Sequence, residues 1–315
     1  MISKYLLIYH KEDNDGVFSA AIAKNYLTNE LHIPESHITL IGSTYNDLEK
    51  LSNEDIDNIA DSCEFILMMD ISFSNPKKMK RLANKMGSNF YWIDHHKPAI
   101  DYSIQYKYDD LPGMRETNTS AMALTYLFLM KESDRDNLPQ LIKILAAYDS
   151  WTWKENGYTL EYVGKINKAV TLHSQLDVDV VAGWLSKLDQ IDIDEFEKIG
   201  EVINDYDAAR FKRIIEDSGD LDFKVNGKPA CALFIQGPSN SITFDSVKDR
   251  VDHGIVFKYM PNGKWTISLY NTRNDVEFDC GMYLRDNYKG GGHKGAAGCI
   301  ISNSTFNKIM RSKSI

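Results

Sequence analysis

Carboxylates and imidazoles gather at four places in this sequence. His10, Asp13 and Asp15 lie within IYHKEDNDG, Asp70 follows the apolar run FILMM, Asp94, His95 and His96 stand together in WIDHHKPA, and Asp149 closes AAYD. His10, Asp13, Asp15, Asp70, His95 and Asp149 form the mixed nitrogen and oxygen ligand set that two adjacent divalent ions need when one carboxylate bridges them. Hard carboxylates with a few imidazoles suit Mn2+ over metals that prefer soft ligands, with Mg2+, Co2+ and Fe2+ as alternatives. Three polar residues directly after the apolar strand Asn89–Ile93 cannot enter a core unpaired, since each buried polar group without a partner costs about 1–3 kcal/mol. Single residues have plainer readings: Asp15 before Gly16 as a turn or helix cap, Asp149 as a surface acid, Asp-His-His as a polar turn.

A second chemistry is written into Gly290–Gly298, GGGHKGAAG. Glycines let backbone N–H groups crowd against an anion, alanines permit close packing, and His293 adds a hydrogen bond or positive charge. This reads as a phosphate-binding loop that includes Gly291 and Gly292; the alternative is a glycine-rich turn between a helix and a strand. Tyr148, Trp151 and Trp153, beside Asp149, offer rings for a terminal base or for the core.

The elements that must hold these groups alternate. Strands are expected at Tyr5–His10, Ile38–Ile41, Phe65–Met69 and Asn89–Ile93, with helices at Val17–Leu27, Asn75–Met86, Ala121–Lys131 and Pro139–Tyr148. Such alternation predicts an α/β fold with a doubly wound, mostly parallel sheet, whose ligands bind beyond the carboxyl ends of the strands. His10, Asp70 and Asp94–His96 each fall just past one strand end. A charged helical connector over 177–222 follows this first domain, 1–176. The third part, 223–315, reads as a smaller C-terminal α/β domain with a mixed sheet: strands Ala230–Ile235, Gly254–Met260, Trp265–Tyr270 and Cys299–Ile301, a hairpin turn at Pro261-Asn262-Gly263, and helices near Ser246–Val251 and over Cys280–Asn287.

At 315 residues the chain has room for two cores. A net charge of −9 argues against a long nucleic acid, duplex or single strand, as the main ligand, whereas a small anionic substrate neutralised by metal ions remains compatible. Four scattered cysteines without CxxC spacing read as buried small hydrophobes in a reducing compartment. No apolar run approaches the ~20 residues of a membrane span, and the first residues lead into a strand rather than a signal peptide, so the expectation is a cytoplasmic protein with no membrane partner.

IYHKEDNDGVFSA, the Asp of LMMDIS, WIDHHKPA, the Asp of AAYDSW and the late GGGHKGAAG follow the order of the DHH phosphoesterases that carry a DHHA1 domain, and the chain resembles that family over almost its whole length. WIDHHKPA, TSAMALTYL and YDSWTW are most similar to the oligoribonuclease (nanoRNase) branch. The resemblance implies that His10, Asp13 and Asp70 hold one metal and that Asp15, Asp70, His95 and Asp149 hold the other, Asp70 bridging. It also implies that His96 faces the substrate phosphate, that Asp94 orients a histidine, and that Gly291, Gly292 and His293 anchor the substrate from the DHHA1 side, across a cleft between the domains. The spacing His10-x-x-Asp13-x-Asp15 leaves Glu12 as an alternative to Asp13. Where many relatives have an arginine after Ser-Leu, this chain has Ser268-Leu269-Tyr270, which leaves Arg273 or Tyr270 to contact the nucleotide.

The implied activity is a metal-dependent phosphodiesterase, an exonuclease degrading RNA or DNA oligonucleotides of about 2–5 residues to mononucleotides, because an acidic chain lacks the basic channel a long strand needs. The alternatives are hydrolysis of cyclic or linear dinucleotide signals and a non-catalytic nucleotide sensor. A monomer or a homodimer fits equally.

Overall fold

The computed structural model describes residues 3–237, 239–273, 275–292 and 294–315, with Ser3 described by its backbone alone. The chain divides into two compact units, Met1–Ile203 and Asn204–Ile315.

The first unit is α/β. In chain order it runs β1 (Ser3–His10), α1 (Asn14–Asn25), β2 (Ile38–Ser43), α2 (Tyr45–Lys50), α3 (Asn53–Asp61), β3 (Cys63–Met69), α4 (Pro76–Met86), β4 (Phe90–Ile93), α5 (Lys97–Tyr106), α6 (Ala121–Met130), α7 (Gln140–Asp149), α8 (Leu160–Ser174) and α9 (Val178–Leu185). The four strands are all parallel, in the order β2-β1-β3-β4. From β1 the chain moves outward to β2, then returns past β1 to β3, so the direction of winding reverses between β1 and β3. A crevice opens at the carboxyl ends of two strands that part company in this way, and it is the ligand position of open α/β sheets. His10 ends β1 and Asp70 follows β3 at that place.

Two apolar layers clamp the sheet. On one face Leu7, Met69 and Ile93 meet α1 and α6 to α9; on the other Leu6, Ile8, Met68 and Trp92 meet α3 and α4. Helix α1 is buried on nearly every side from Asn14 to Ala23, as its run VFSAAIA requires of a helix with no polar face. Its first turn approaches β1 so closely that a Cβ on Gly16 would stand 1.9 Å from the His10 carbonyl oxygen, and only glycine fits there. Helix α1 starts at Asn14, earlier than the expected Val17, so Asp15 belongs to a helix rather than to a loop. Helices α2, α3, α5 and α8 stand where the sequence reading places none.

The long helix α10 (Ile193–Ser218) carries the boundary between the units. Part of the stretch read as a connector belongs to the first core, since Val178, Val181 and Leu188 are buried against α1 and its neighbours. The second unit continues with β5 (Asp220–Val225), β6 (Lys228–Phe234), a 3-10 helix at Ser241–Val247, β7 (His253–Tyr259), β8 (Trp265–Asn271), α11 (Cys280–Tyr288), β9 (Gly291–Gly292), β10 (Ala296–Ile301) and α12 (Asn303–Ser312). Its six strands lie in the order β5-β6-β7-β8-β10-β9, mixed because β6 and β7 run parallel while the other pairs are antiparallel. Three expectations need correction. Strand β5 begins at Asp220, inside the stretch taken as helical. The helix expected near Ser246–Val251 is the earlier 3-10 segment. The glycine-rich stretch is partly sheet, because Gly291 and Gly292 pair with Gly298 and Ala297. The turn at Pro261-Asn262-Gly263 does join β7 to β8, with Gly263 at φ 78°.

Candidate metal centre

Strand ends and helix ends deliver the acid and imidazole groups of the first unit to one crevice. Asp13 caps α1, accepting from the Gly16 N–H at 3.1 Å, and its other oxygen lies 3.0 Å from His10 Nδ1. Asp70 sits in the left-handed region at φ 58°, its N–H donating to the Ile93 carbonyl at 3.0 Å, so backbone and strand β4 together fix its direction. Its Oδ2 is 3.7 Å from His10 Nδ1, and its Oδ1 is 3.4 Å from His95 Nε2. Asp15 is gripped by the N-terminus of α6: the Ala121 and Met122 N–H groups donate to its two oxygens at 2.7 and 2.6 Å. A helix N-terminus favours a carboxylate in this way, and each oxygen keeps a second lone pair. Asp149, the last residue of α7, brings Oδ2 to 3.3 Å from His95 Nε2, which also lies 3.5 Å from Asp15.

One imidazole nitrogen thus has three carboxylates within 3.5 Å. Asp70 Oδ1 and Asp149 Oδ2 are nevertheless buried without a hydrogen bond, an arrangement that costs free energy unless something else satisfies them. His10, Asp13 and Asp70 form one group whose ligand atoms all lie within 4.8 Å of one another, Asp15, His95 and Asp149 a second, and Asp70, His95 and His96 a third. These residues fit a divalent cation: the donors are hard, orphaned oxygens point at the space between them, and two of the groups share Asp70. Glu12 is 3.5 Å from His10 Nε2 with a largely exposed side chain, and it belongs to none of these groups.

The electrostatics carry the same message. Burial and then Asp15 push the Asp70 carboxyl well above its usual range, and burial and Asp15 do the same to Asp149. Burial opposes charge on the histidines, yet the Asp13 and Asp70 carboxylates lift His10 to about 10, and Asp15 and Asp149 raise His95. Acids that resist ionising and histidines that hold protons describe a cluster with more negative charge than its interior can carry, which a cation relieves.

Asp94 plays another part. Fully buried, it accepts from the Trp92 indole N–H at 3.1 Å, from the His96 backbone N–H at 2.9 Å, and lies 2.8 Å from His96 Nδ1. That pairing fixes the His96 ring and keeps a proton on Nδ1, and against the cost of burial Asp94 raises the pKa of His96. Segment 112–116 braces the strand behind it, with Arg115 donating to the Trp92 carbonyl at 2.8 Å and lying over the Trp92 ring.

In the second unit, Gly291 and Gly292 are exposed on the edge strand β9, and Gly292 has φ 145°, where a Cβ would stand 2.5 Å from the Ala297 Cα. His293 lies outside the described residues. Arg273 is committed within its own unit: it donates to Asp252 at 2.9 Å, to Asp275 at 3.1 Å, and to the Lys248 and Val251 carbonyls. Tyr270 is buried and its hydroxyl donates to the Ser239 carbonyl at 2.8 Å, so neither side chain is displayed for a nucleotide. Near Asp149, Trp151 is 59% exposed, whereas Tyr148 and Trp153 pack on the core. Sequence reasoning missed Tyr45, whose ring stands 5.5 Å from that of His10 and 6.0 Å from that of His96. The available signal was the Thr44-x-x-Asp47 capping pattern that starts α2.

Comparison with known proteins places this geometry in context. The model of the DHH family, N-terminal domain, matches residues 4–148. Oligoribonuclease NrnB of Bacillus subtilis is 21% identical over 310 residues, spanning 95% of this chain and 73% of that protein. Among solved structures, RecJ of Thermus thermophilus in complex with Mn2+ is similar at a TM-score of 0.55 and 15% identity, covering 99% of this chain and 51% of that one. The pGpG-specific phosphodiesterase PggH of Vibrio cholerae is similar at a TM-score of 0.50 and 14% identity, covering 98% and 97%. At these identities the structural likeness speaks for the fold. No helix among the described residues is long and apolar enough to cross a membrane.

Proposed function

We propose, from the match of the DHH family's N-terminal domain to residues 4–148 and from the geometry of the site, that the protein is a metal-dependent phosphodiesterase that removes nucleotides from short oligonucleotides. One observation carries the reading. Two ligand groups, His10 with Asp13 and Asp70, and Asp15 with His95 and Asp149, are linked through Asp70 Oδ1 and His95 Nε2 at 3.4 Å. In our assignment the first group holds one divalent ion, the second holds another, and Asp70 serves both. Mn2+ is the ion of choice, with Mg2+ or Co2+ as substitutes. Bound there, such ions polarise phosphoryl oxygens and generate a nucleophile from water near neutral pH.

The chain's own residues supply the remainder. Asp94 accepts from His96 Nδ1–H and raises the pKa of the ring against the cost of burial, so that in its imidazolium form His96 has Nε2–H oriented as a donor and a positive charge for a phosphate oxygen. Asp15, tied to two backbone N–H groups, cannot swing away when the cluster changes charge, which keeps the second group pre-organised. The exposed Trp151, two residues beyond Asp149, offers a face for a terminal base. In the C-terminal unit, 204–315, Gly291 and Gly292 present exposed backbone for a second phosphate contact, and the assignment of His293 to that contact rests on the sequence. We assign the whole protein to the cytoplasm.

The test is a steady-state comparison of 2-mer, 5-mer and 24-mer RNA and DNA with Mn2+. The expected result is a kcat/KM that peaks on 2-mers to about 5-mers and falls steeply for the 24-mer, since each phosphate held by a basic groove adds to affinity and this chain carries a net charge of −9. Equal kcat/KM for the 24-mer and the 2-mer would refute the short-substrate reading. A second reading, cleavage of a linear or cyclic dinucleotide signal, is favoured by the likeness to the pGpG-specific enzyme over nearly the full length of both chains. Including pGpG and a cyclic dinucleotide in the panel separates the two.

A further inference from the structure

Tyr45 is the residue at this centre that neither the ligand groups nor the Asp94–His96 pair accounts for. Its placement is engineered from several sides. Ser43 pairs with His10 across β2 and β1, which brings the following residues of the chain alongside the histidine. Thr44 then caps α2, accepting from the Asp47 N–H at 3.0 Å, while Asp47 accepts from the Thr44 N–H at 3.1 Å. The same Asp47 carboxylate takes a 3.0 Å ion pair from Lys11, the residue after His10. Cap, register and ion pair all converge on the first residue of α2, and that residue is Tyr45.

The ring bridges the two halves of the site. It is tilted at 55° to His10 at 5.5 Å and stands edge-on, at 84°, to His96 at 6.0 Å. Packing against two imidazoles is explained by the ring alone, but the hydroxyl is not. Tyr45 is half-buried, and among the described residues its hydroxyl has no hydrogen-bond partner. A tyrosine hydroxyl is protonated at neutral pH and offers a donor beside a cluster made up mainly of carboxylate acceptors. Such a donor matches the one kind of group that must enter beside His96 for the proposed reaction, an anionic phosphate rich in acceptor oxygens.

We propose that Tyr45 is a substrate-contacting residue whose hydroxyl donates a hydrogen bond to a non-bridging oxygen of the phosphate seated next to His96. This rests on the phosphodiesterase reading and adds a specificity for it: the ring standing between His10 and His96 would recognise the phosphate itself rather than a base.

Tyr45→Phe removes the oxygen and keeps the ring, and Tyr45→Leu removes both. Three measurements decide the matter: Mn2+ affinity by calorimetry, equilibrium binding of adenosine 5′-monophosphate to the Mn2+-loaded protein, and kcat and KM on a dinucleotide. For Tyr45→Phe the expected result is unchanged Mn2+ affinity, weaker nucleotide binding by about tenfold, and a kcat/KM lower by about ten- to a hundredfold, as expected for one lost donor to a charged acceptor. Tyr45→Leu should lose Mn2+ affinity as well, because the ring that packs against the two imidazoles is gone. Nucleotide binding and kcat/KM within twofold of wild type in Tyr45→Phe would overturn the assignment and leave the ring a packing element. So would a loss of Mn2+ affinity in Tyr45→Phe as large as its loss of nucleotide binding. Should the wild-type protein cleave no dinucleotide, the phosphodiesterase reading falls separately, and nucleotide binding alone then decides for or against Tyr45.

Discussion

Replacing Asp70 by Asn should invert the protein's response to metal. The Asp70 carboxylate is 1% exposed and Asp15 is 2% exposed, and an oxygen of each lies within 3.5 Å of His95 Nε2. The two charges are therefore no more than about 7 Å apart, a repulsion of about 2 kcal/mol at an effective dielectric near 20. Asp70→Asn removes that repulsion and the cost of burying a charge while giving up attraction to His10 and His95; because burial and then Asp15 hold the Asp70 carboxyl well above its usual range, the balance favours the neutral amide, and the metal-free variant should melt at a higher temperature than wild type. With metal the sign reverses, because an ion at a hundred times its Kd adds about 2.7 kcal/mol per site to a protein that binds it only when folded. The wild type receives that gain, and the variant, having lost the shared carboxylate, does not. Paired thermal melts in EDTA and in excess Mn2+ read both signs, and dinucleotide turnover should fall by more than tenfold in the same variant. A variant less stable than wild type in EDTA, or one stabilised by Mn2+ as much as wild type, would refute the account of Asp70 as an unrelieved charge awaiting a shared cation.

Other substitutions probe the supports. Gly16→Ala forces a Cβ to within 1.9 Å of the His10 carbonyl and should cost about 2–4 kcal/mol in urea unfolding, with Mn2+ affinity falling in the folded fraction; full stability would refute the close approach. Asp94→Asn leaves the shape but frees the His96 ring, so kcat should drop about 10–100-fold while Mn2+ affinity, measured separately, changes less; an unchanged kcat would refute the orienting role. His253, fully buried with Nε2 unpartnered and Nδ1 on Asn271, has its pKa lowered chiefly by burial. Below about pH 6.5 the unfolded chain therefore binds a proton that the folded state resists, so this stability is complete above pH 6.5 and is lost as the pH falls toward the lowered folded value. Urea midpoints of wild type and His253→Gln between pH 7.5 and 5.5 should diverge, the wild type falling faster, and parallel slopes would count against it.

The sequence displayed the strand ends because each apolar run stops at an ionisable residue: YLLIYH, FILMMD and YWID announce both a strand and a group it delivers. The α/β class and the mixed second sheet were legible for the same reason. What was hidden depends on partners far away in the chain. The grip on Asp15 comes from N–H groups 106 and 107 residues later, at the start of α6, and nothing local to Asp15 marks it. Tyr45 reaches the site only through the register of β2 on β1. Gly291 and Gly292 look like loop because two glycines have no strand propensity, and β10 imposes the pairing on them. Arg273 has the reach to contact a ligand, yet its guanidinium is taken up by Asp252 and Asp275, a competition that spacing does not reveal.

The left-handed backbone at Asp70 also bears on how this gene can decay. At φ 58° Gly is unstrained and Asn, Asp and His are the side chains best tolerated, while others pay about 1 kcal/mol or more. A single base change in an Asp codon reaches Asn, Gly, Ala, Val, Glu, His or Tyr, and of these Asn, Gly and His suit that backbone, with Asn alone keeping the shape of the side chain. A duplicate copy released from selection for turnover, but still retained for some folded role, would therefore drift through Asp70→Asn more readily than through the others. The same step that silences the proposed chemistry leaves the fold intact and sheds a buried charge. Loss of the proposed activity and gain of metal-free stability are then one mutational event.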